Sequence, residues 1–271
     1  MLKRLLILFV LIICTQESFS QILFQSNGAR SFAMAGCALT ASDIYSGLNN
    51  QATMAFNKNS SIAISSTRKF NFSDLSYHSF TGIYKLKNSA FGLSASYNGI
   101  SNYNNSLIGL SYARLLSQKI SVGIQFDYLN KNIAEYGSHS AVTFEAGFLY
   151  KASKQLDFAV HTFNPIQVQQ GFENAEKYPS ILAAGITYKP AETFSLSAEV
   201  NNSYNDNSSL RIGAEYKPVK EVAIRAGINN NEYCFGLGIK WKNISIDLAS
   251  TFHRYLSLSS NASIAYEFGN K

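Results

Sequence analysis

From about Ser60 onward the chain falls into stretches of roughly ten residues in which apolar side chains alternate with polar or very small ones, the two-residue period of a β-strand whose faces meet different surroundings. Residues 193–201 put Phe194, Leu196, Ala198 and Val200 on one face and Ser195, Ser197 and Glu199 on the other. Residues 208–217 set Leu210, Ile212, Ala214 and Tyr216 against Arg211, Gly213 and Glu215, and residues 232–241 align Tyr233, Phe235, Leu237, Ile239 and Trp241. About fourteen such stretches follow one another, near 60–70, 76–87, 89–98, 106–115, 119–130, 140–152, 155–163, 180–189, 193–201, 208–217, 220–229, 232–241, 243–253 and 257–268. Their even number falls within the range of transmembrane barrels.

The links add independent information, because such barrels alternate short periplasmic turns with longer outer loops. After even-numbered stretches the links are tight, as at Ser153-Lys154, Pro218-Val219 and Lys242; after odd-numbered ones they read as longer and Asn-rich, notably 98–105, 131–139, 164–179 and 201–207. The apolar face ends near the tight links in Tyr112, Tyr150, Tyr188, Tyr216 and Trp241, rings suited to the membrane–water boundary. A soluble β-sandwich shows the same period, but not this number of strands with this alternation of links. The expected fold is all-β: a transmembrane antiparallel β-barrel of about 14 strands, with an N-terminal lumenal plug, or hatch.

Composition agrees. Hydrophobic residues make up 46% of the 271-residue chain and charged ones 15%, against about a quarter charged in an ordinary soluble domain. Residues 1–20 read as a signal peptide: Lys3 and Arg4, the apolar run Leu5 to Cys14, then Ser18-Phe19-Ser20 before the cut. That places the mature protein in the cell outer membrane, in contact with outer-membrane lipid, with residues 21–58 as plug and 59–271 as barrel. The net charge of +6 is spread without basic runs, so nucleic acid is not an expected partner.

The plug stretch is rich in small residues and carries a pattern: Gly28-Ala29-Arg30, then Ala33-Met34-Ala35-Gly36-Cys37, Asp43, and Asn50-Gln51-Ala52-Thr53-Met54-Ala55. It resembles the opening of FadL-like outer-membrane proteins, especially the PorV/PorQ branch of Bacteroidetes, where Gly-Ala-Arg-x-x-Ala-Met-x-Gly-Ala precedes an Asp-containing turn and Asn-Pro-Ala-Gly-Leu-Ala. Gln51 stands where that family usually has Pro, and Cys37 where it has a small residue. The resemblance covers about thirty residues and implies a lumen plugged by residues 28–55, with Arg30, Met34, Asp43 and Asn50 as hatch positions. It implies one of two functions. In PorV/PorQ relatives the partners are type IX secretion components or secreted cargo at the cell surface; in FadL-like transporters a hydrophobic small molecule, such as a long-chain fatty acid, passes the hatch. The first is the leading expectation and the second its alternative.

The polar face carries Asp127, Glu145, Asp157, His161, Glu199, Arg211, Glu215, Arg225, Lys240 and Asp247. Same-sign charges would suit an ion path. Mixed signs instead suggest a lumen charge network joining plug and wall, built from Glu199, Arg211, Glu215, Arg225, Lys240 and Asp247, with Lys240 beside Asp247. Glycines on the same face, among them Gly123, Gly147, Gly213 and Gly227, leave room for the plug. Asp157 and His161, four apart on one strand, lie about 13 Å apart, too far to form the core of a catalytic triad. His78, His139 and His253 fall in or near loops without metal spacing. No catalytic, metal or cofactor site is expected. Cys37 in the plug and Cys234 on the lumen face could form a disulfide pinning plug to wall, or remain two small buried residues. The long link around Gln167 to Lys177 is a further place where function could reside.

Overall fold

The computed structural model describes residues 28–171, 177–203 and 206–269. The expected signal peptide lies outside the described residues, as does part of the link around Gln167 to Lys177. Two short helices, α1 (Ala29–Ala33) and α2 (Ser46–Asn49), and a 3₁₀ helix (Gln51–Phe56) precede fourteen strands. These are β1 (Ser60–Arg68), β2 (Ser76–Lys85), β3 (Ser89–Ile100), β4 (Tyr103–Leu115), β5 (Ile120–Ile133), β6 (Gly137–Lys151), β7 (Leu156–Phe163), β8 (Ile181–Ala191), β9 (Phe194–Ser203), β10 (Asp206–Val219), β11 (Val222–Ile228), β12 (Glu232–Trp241), β13 (Ile244–His253) and β14 (Leu258–Phe268). Each pairs antiparallel with its neighbours in sequence, and β1 pairs with β14 from Ser60↔Phe268 to Arg68↔Ser260, closing the barrel. Closure leaves no sheet edge unpaired, which lets a sheet stand in hydrocarbon.

The alternation read from the sequence sorts the two faces. Ile64, Phe126, Leu237 and Leu248 point outward and stay exposed, while Ser65, Gln125, Gly238 and Asp247 on the same strands face the lumen and are covered. An exposed apolar belt around the whole wall is far larger than a soluble monomer tolerates; in a lipid bilayer it is the solvated face. Among the described residues no helix is long and apolar enough to cross a membrane. Five of the six even-numbered strands that lead into a turn finish with an aromatic ring outside next to a lysine: Tyr84-Lys85, Tyr150-Lys151, Tyr188-Lys189, Tyr216-Lys217 and Lys240-Trp241. The rule of short periplasmic turns makes this the periplasmic end.

The strands are longer than the apolar stretches suggest, and this corrects the expected loops. β3 and β4 pair without a break to Ile100↔Tyr103, leaving Ser101-Asn102 as the whole turn. β5 and β6 run to Ile133↔Gly137, where Glu135 and Gly137 take positive φ. Asn, Ser and Lys in 98–105 and 131–139 therefore belong to strands that rise past the apolar belt, because ladder hydrogen bonds continue whether or not the side chains meet lipid. The longer links that remain are Lys69 to Leu75, which carries two 3₁₀ turns, and the one from Asn164 to Ser180. At the other end the register slips between Tyr188 and Ala191 and between Tyr216 and Val219, where Pro190 and Pro218 each lack a ladder donor.

Candidate lumenal site

Residues 28–57 lie against the inner face of the closed wall and touch strands around its circumference. On one side α1 meets β11 to β14; on the other the 3₁₀ helix meets β2 to β6. Close approach needs glycine in the wall. A Cβ on Gly227 would stand 2.5 Å from the Met34 carbonyl carbon and one on Gly213 2.7 Å from Met34 Cβ, while one on Gly123 would reach the Ala52 nitrogen at 2.5 Å and one on Gly147 would overlap Asn50 Oδ1. Met34 is buried against this bare stretch of wall.

The first attachment is ionic. Arg30 donates from Nε to Glu215 Oε2 at 2.9 Å, from Nη2 to Glu215 Oε1 at 3.1 Å and from Nη1 to Asp43 Oδ2 at 2.7 Å. Burial pulls the Arg30 guanidinium down, but Glu215 and Asp43 outweigh it and hold the group above its ordinary value. On the wall, Arg225 Nε donates to the same Glu215 Oε2 at 2.6 Å and Arg225 Nη1 to Asp247 Oδ1 at 2.5 Å. Glu215 and Arg225 sit directly opposite one another on β10 and β11. The chain Asp43–Arg30–Glu215–Arg225–Asp247 thus alternates in sign and ties the lumenal segment to three strands.

Two members of the expected network stand elsewhere. Lys240 does not pair with Asp247: it lies opposite Ser245 in the ladder, and its Nζ donates instead to Glu267 at 2.7 Å at the periplasmic rim. Arg211 lies across from Glu199 on β9 rather than beside Arg225; with the Asn201 amide turned to its satisfied orientation, that oxygen accepts from Arg211 at 2.9 Å. Glu199 Oε1 accepts from the Leu39 backbone N–H at 2.7 Å.

The second attachment uses amides and hydroxyls. Asn50 caps the 3₁₀ helix by accepting from Ala52 N at 3.1 Å, and its Nδ2 donates to Leu39 O at 2.8 Å. Gln51 Nε2 donates to Glu145 Oε2 at 2.6 Å, and Ser121 Oγ to Ala52 O at 2.8 Å. With its proton on Nε2, His161 donates to Glu145 at 2.9 Å and faces Gln51 Oε1 at 3.2 Å. Asp157 turns away, to Lys189 Nζ at 2.5 Å, so the two residues four apart on β7 serve separate partners. The sequence marks Gln51 only as a departure from the family's Pro and does not mark Gln125, since a neutral amide on a polar face carries no pattern of its own.

Both cysteines are free and buried, the second of the two alternatives read from the sequence. Cys37 Sγ reaches the Ser197 carbonyl on β9 at 3.8 Å, whereas Cys234 Sγ on β12 accepts from Thr251 Oγ1 at 3.4 Å; the two sulfurs are aimed at different strands. Burial pushes the Cys37 thiol above its ordinary value. Among the described residues no group of His, Cys, Asp and Glu is arranged to hold a metal ion.

Between the attachments, residues 36–43 separate two cavities. A small one of about 110 Å³ in the outer half is walled by Leu39, Leu48, Leu107, Phe163 and Ile181, with Glu145, His161, Glu199 and Arg211 as its polar groups. A larger one of about 940 Å³ opens at the periplasmic end and reaches Arg30, Cys37, Thr40 and Asp43. Besides Glu199, the partition is held by Thr40 Oγ1 against Thr187 Oγ1 at 2.6 Å.

A closed fourteen-strand barrel with this exterior and a polar, occupied lumen shares its fold with FadL-like outer-membrane barrels. Solved structures with that fold include the CymD monoaromatic hydrocarbon channel (TM-score 0.70, 14% identity, 90% of this chain and 98% of that one). The Ralstonia pickettii toluene transporter TbuX gives a TM-score of 0.71 at 13% identity, over 92% of this chain and all of that one. A Pseudomonas aeruginosa FadL homologue gives 0.66 at 12% identity, over 92% and 100%. No family model and no curated protein matches the chain.

Proposed function

We propose that the protein is a passive outer-membrane channel for small hydrophobic molecules, with residues 28–57 as its plug. The observation that carries this reading is the pair of cavities meeting at one thin partition, residues 36–43. An apolar cavity of about 150 Å³ holds benzene; the outer cavity, at about 110 Å³ and with Glu145, His161, Glu199 and Arg211 in its lining, is smaller and admits a single ring only as its walls give. A molecule resting there against Leu39 and Phe163 has only the partition between it and the periplasmic vestibule. The similar solved structures are named as channels and transporters for such compounds, which favours small-molecule passage over the secretion-partner reading that led from the sequence. Arg30, Asp43 and Asn50 then keep the plug seated while the partition yields.

The test uses liposomes containing the full chain and toluene as the probe. In a background with Cys37→Ala and Cys234→Ala, the pair Thr40→Cys and Thr187→Cys is oxidised to fasten the partition to β8. Toluene entry is expected to fall to the protein-free rate when the bridge forms and to recover on reduction. Entry that is the same in both states overturns the proposal.

A further inference from the structure

Five lysines that finish even-numbered strands, Lys85, Lys151, Lys189, Lys217 and Lys240, ring the periplasmic mouth on its lumen side. Three already hold carboxylates: Lys189 with Asp157, Lys217 with Glu215 and Lys240 with Glu267, at 2.5, 3.1 and 2.7 Å. Lys85 Nζ donates to Ala55 O at 2.6 Å. Lys151 lies over the Phe56 ring at 3.9 Å, and Lys58, Lys154 and Lys220 stand at the rim. Among the described residues none of these last four has a carboxylate in ion-pair range. The vestibule is lined by nine cationic side chains against six carboxylates.

Their spacing selects the kind of anion. Lys154 follows β6, Lys220 follows β10 and Lys58 precedes β1, so each is four or five strands from the next around the wall, about 19–24 Å at ~4.8 Å per strand. That exceeds the ~8–10 Å screening length of a saline periplasm, so one carboxylate or phosphate engages one of these lysines and leaves the others unused. A chain with several separated negative charges engages all of them. We infer that the periplasmic vestibule is a docking site for an acidic segment of a periplasmic protein. The lysine ring supplies the charge complement. This inference stands independently of what passes through the barrel.

The experiment uses the full chain in lipid nanodiscs and a fluorescent peptide of about ten residues alternating Glu and Leu, read by anisotropy. A peptide with Gln in place of Glu and free oleate serve as controls. Binding of the acidic peptide is expected to weaken about tenfold or more in the combined Lys58→Glu, Lys154→Glu, Lys220→Glu variant, and between about 50 and about 300 mM salt. It is expected to survive when the same three positions become Arg. Heat-dependent gel mobility checks that each variant is a folded barrel. Equal binding of the Gln peptide, unchanged binding by the Glu variant, or displacement of the acidic peptide by equimolar oleate overturns the inference.

Discussion

The lumenal segment is fastened at its two ends by different chemistry. Arg30, at the α1 end, is one link in a run of alternating charges across β10, β11 and β13. Asn50 and Gln51, at the 3₁₀ end, are held by the Glu145 carboxylate and by hydroxyl and imidazole groups on β5 to β7. Removing one member of a buried ion chain leaves its partners as uncompensated charges. At the 3₁₀ end each hydrogen bond has at least one uncharged partner, and losing one costs less. Among the described residues the partition between the ends is hydrogen-bonded to the wall through Cys37, Ala38, Leu39 and Thr40. A segment with firm ends and a lightly held middle can open at the middle without leaving the barrel.

Glu215→Leu is the most direct way to break that contrast. It leaves Arg30 and Arg225 facing each other in a buried site, and should cost about 3–5 kcal/mol, read as a lower urea midpoint for the purified barrel. Next comes Gly147→Leu, whose side chain occupies the place of Asn50 Oδ1. Overpacking of that kind costs about 1–3 kcal/mol, and the displaced 3₁₀ helix should raise toluene leakage while the ionic end stays seated. Gln51→Ala removes one donor from buried Glu145 and should cost about 1–3 kcal/mol. His161 and Gln125 continue to face that carboxylate, so a loss as large as that of Glu215→Leu would show that the two ends do not differ. The smallest effect belongs to Cys37. Its raised thiol should react with iodoacetamide in the folded barrel much more slowly than after unfolding, and mobility should be the same on reducing and non-reducing gels.

Strand number and facing were legible in the sequence because lipid outside and polar groups inside impose a period of two that survives any detail of packing. β9 to β13 are recovered nearly to the residue. Link lengths were not legible at the outer end, since Asn104, Lys131 and Asn132 are polar whether they sit in a loop or in a strand that has risen out of the bilayer. The same limit applied to the charges. Period two placed Glu215, Arg225, Lys240 and Asp247 on one face, but partners depend on ladder register, and a shift of two residues separates Lys240 opposite Ser245 from a pair with Asp247. Glu215 and Arg225 meet because they are directly opposite. Gln125 left no trace, as an amide between the carboxylates of Asp127 and Glu145 has meaning only once the fold has brought them together.

The pairing of β1 with β14 joins residues about two hundred positions apart, as in the Ser65–Asn261 hydrogen bond. Every strand is made after residues 28–57, yet those residues finish enclosed by all of them. The wall must therefore assemble around its contents, with the last seam sealing only when the C-terminal strand arrives, and contacts of such long sequence separation form slowly. The α1 helix meets β11 to β14, so its contacts are complete only when the last strands arrive. The segment inside the lumen is thus enclosed by a closing wall rather than inserted into a finished one.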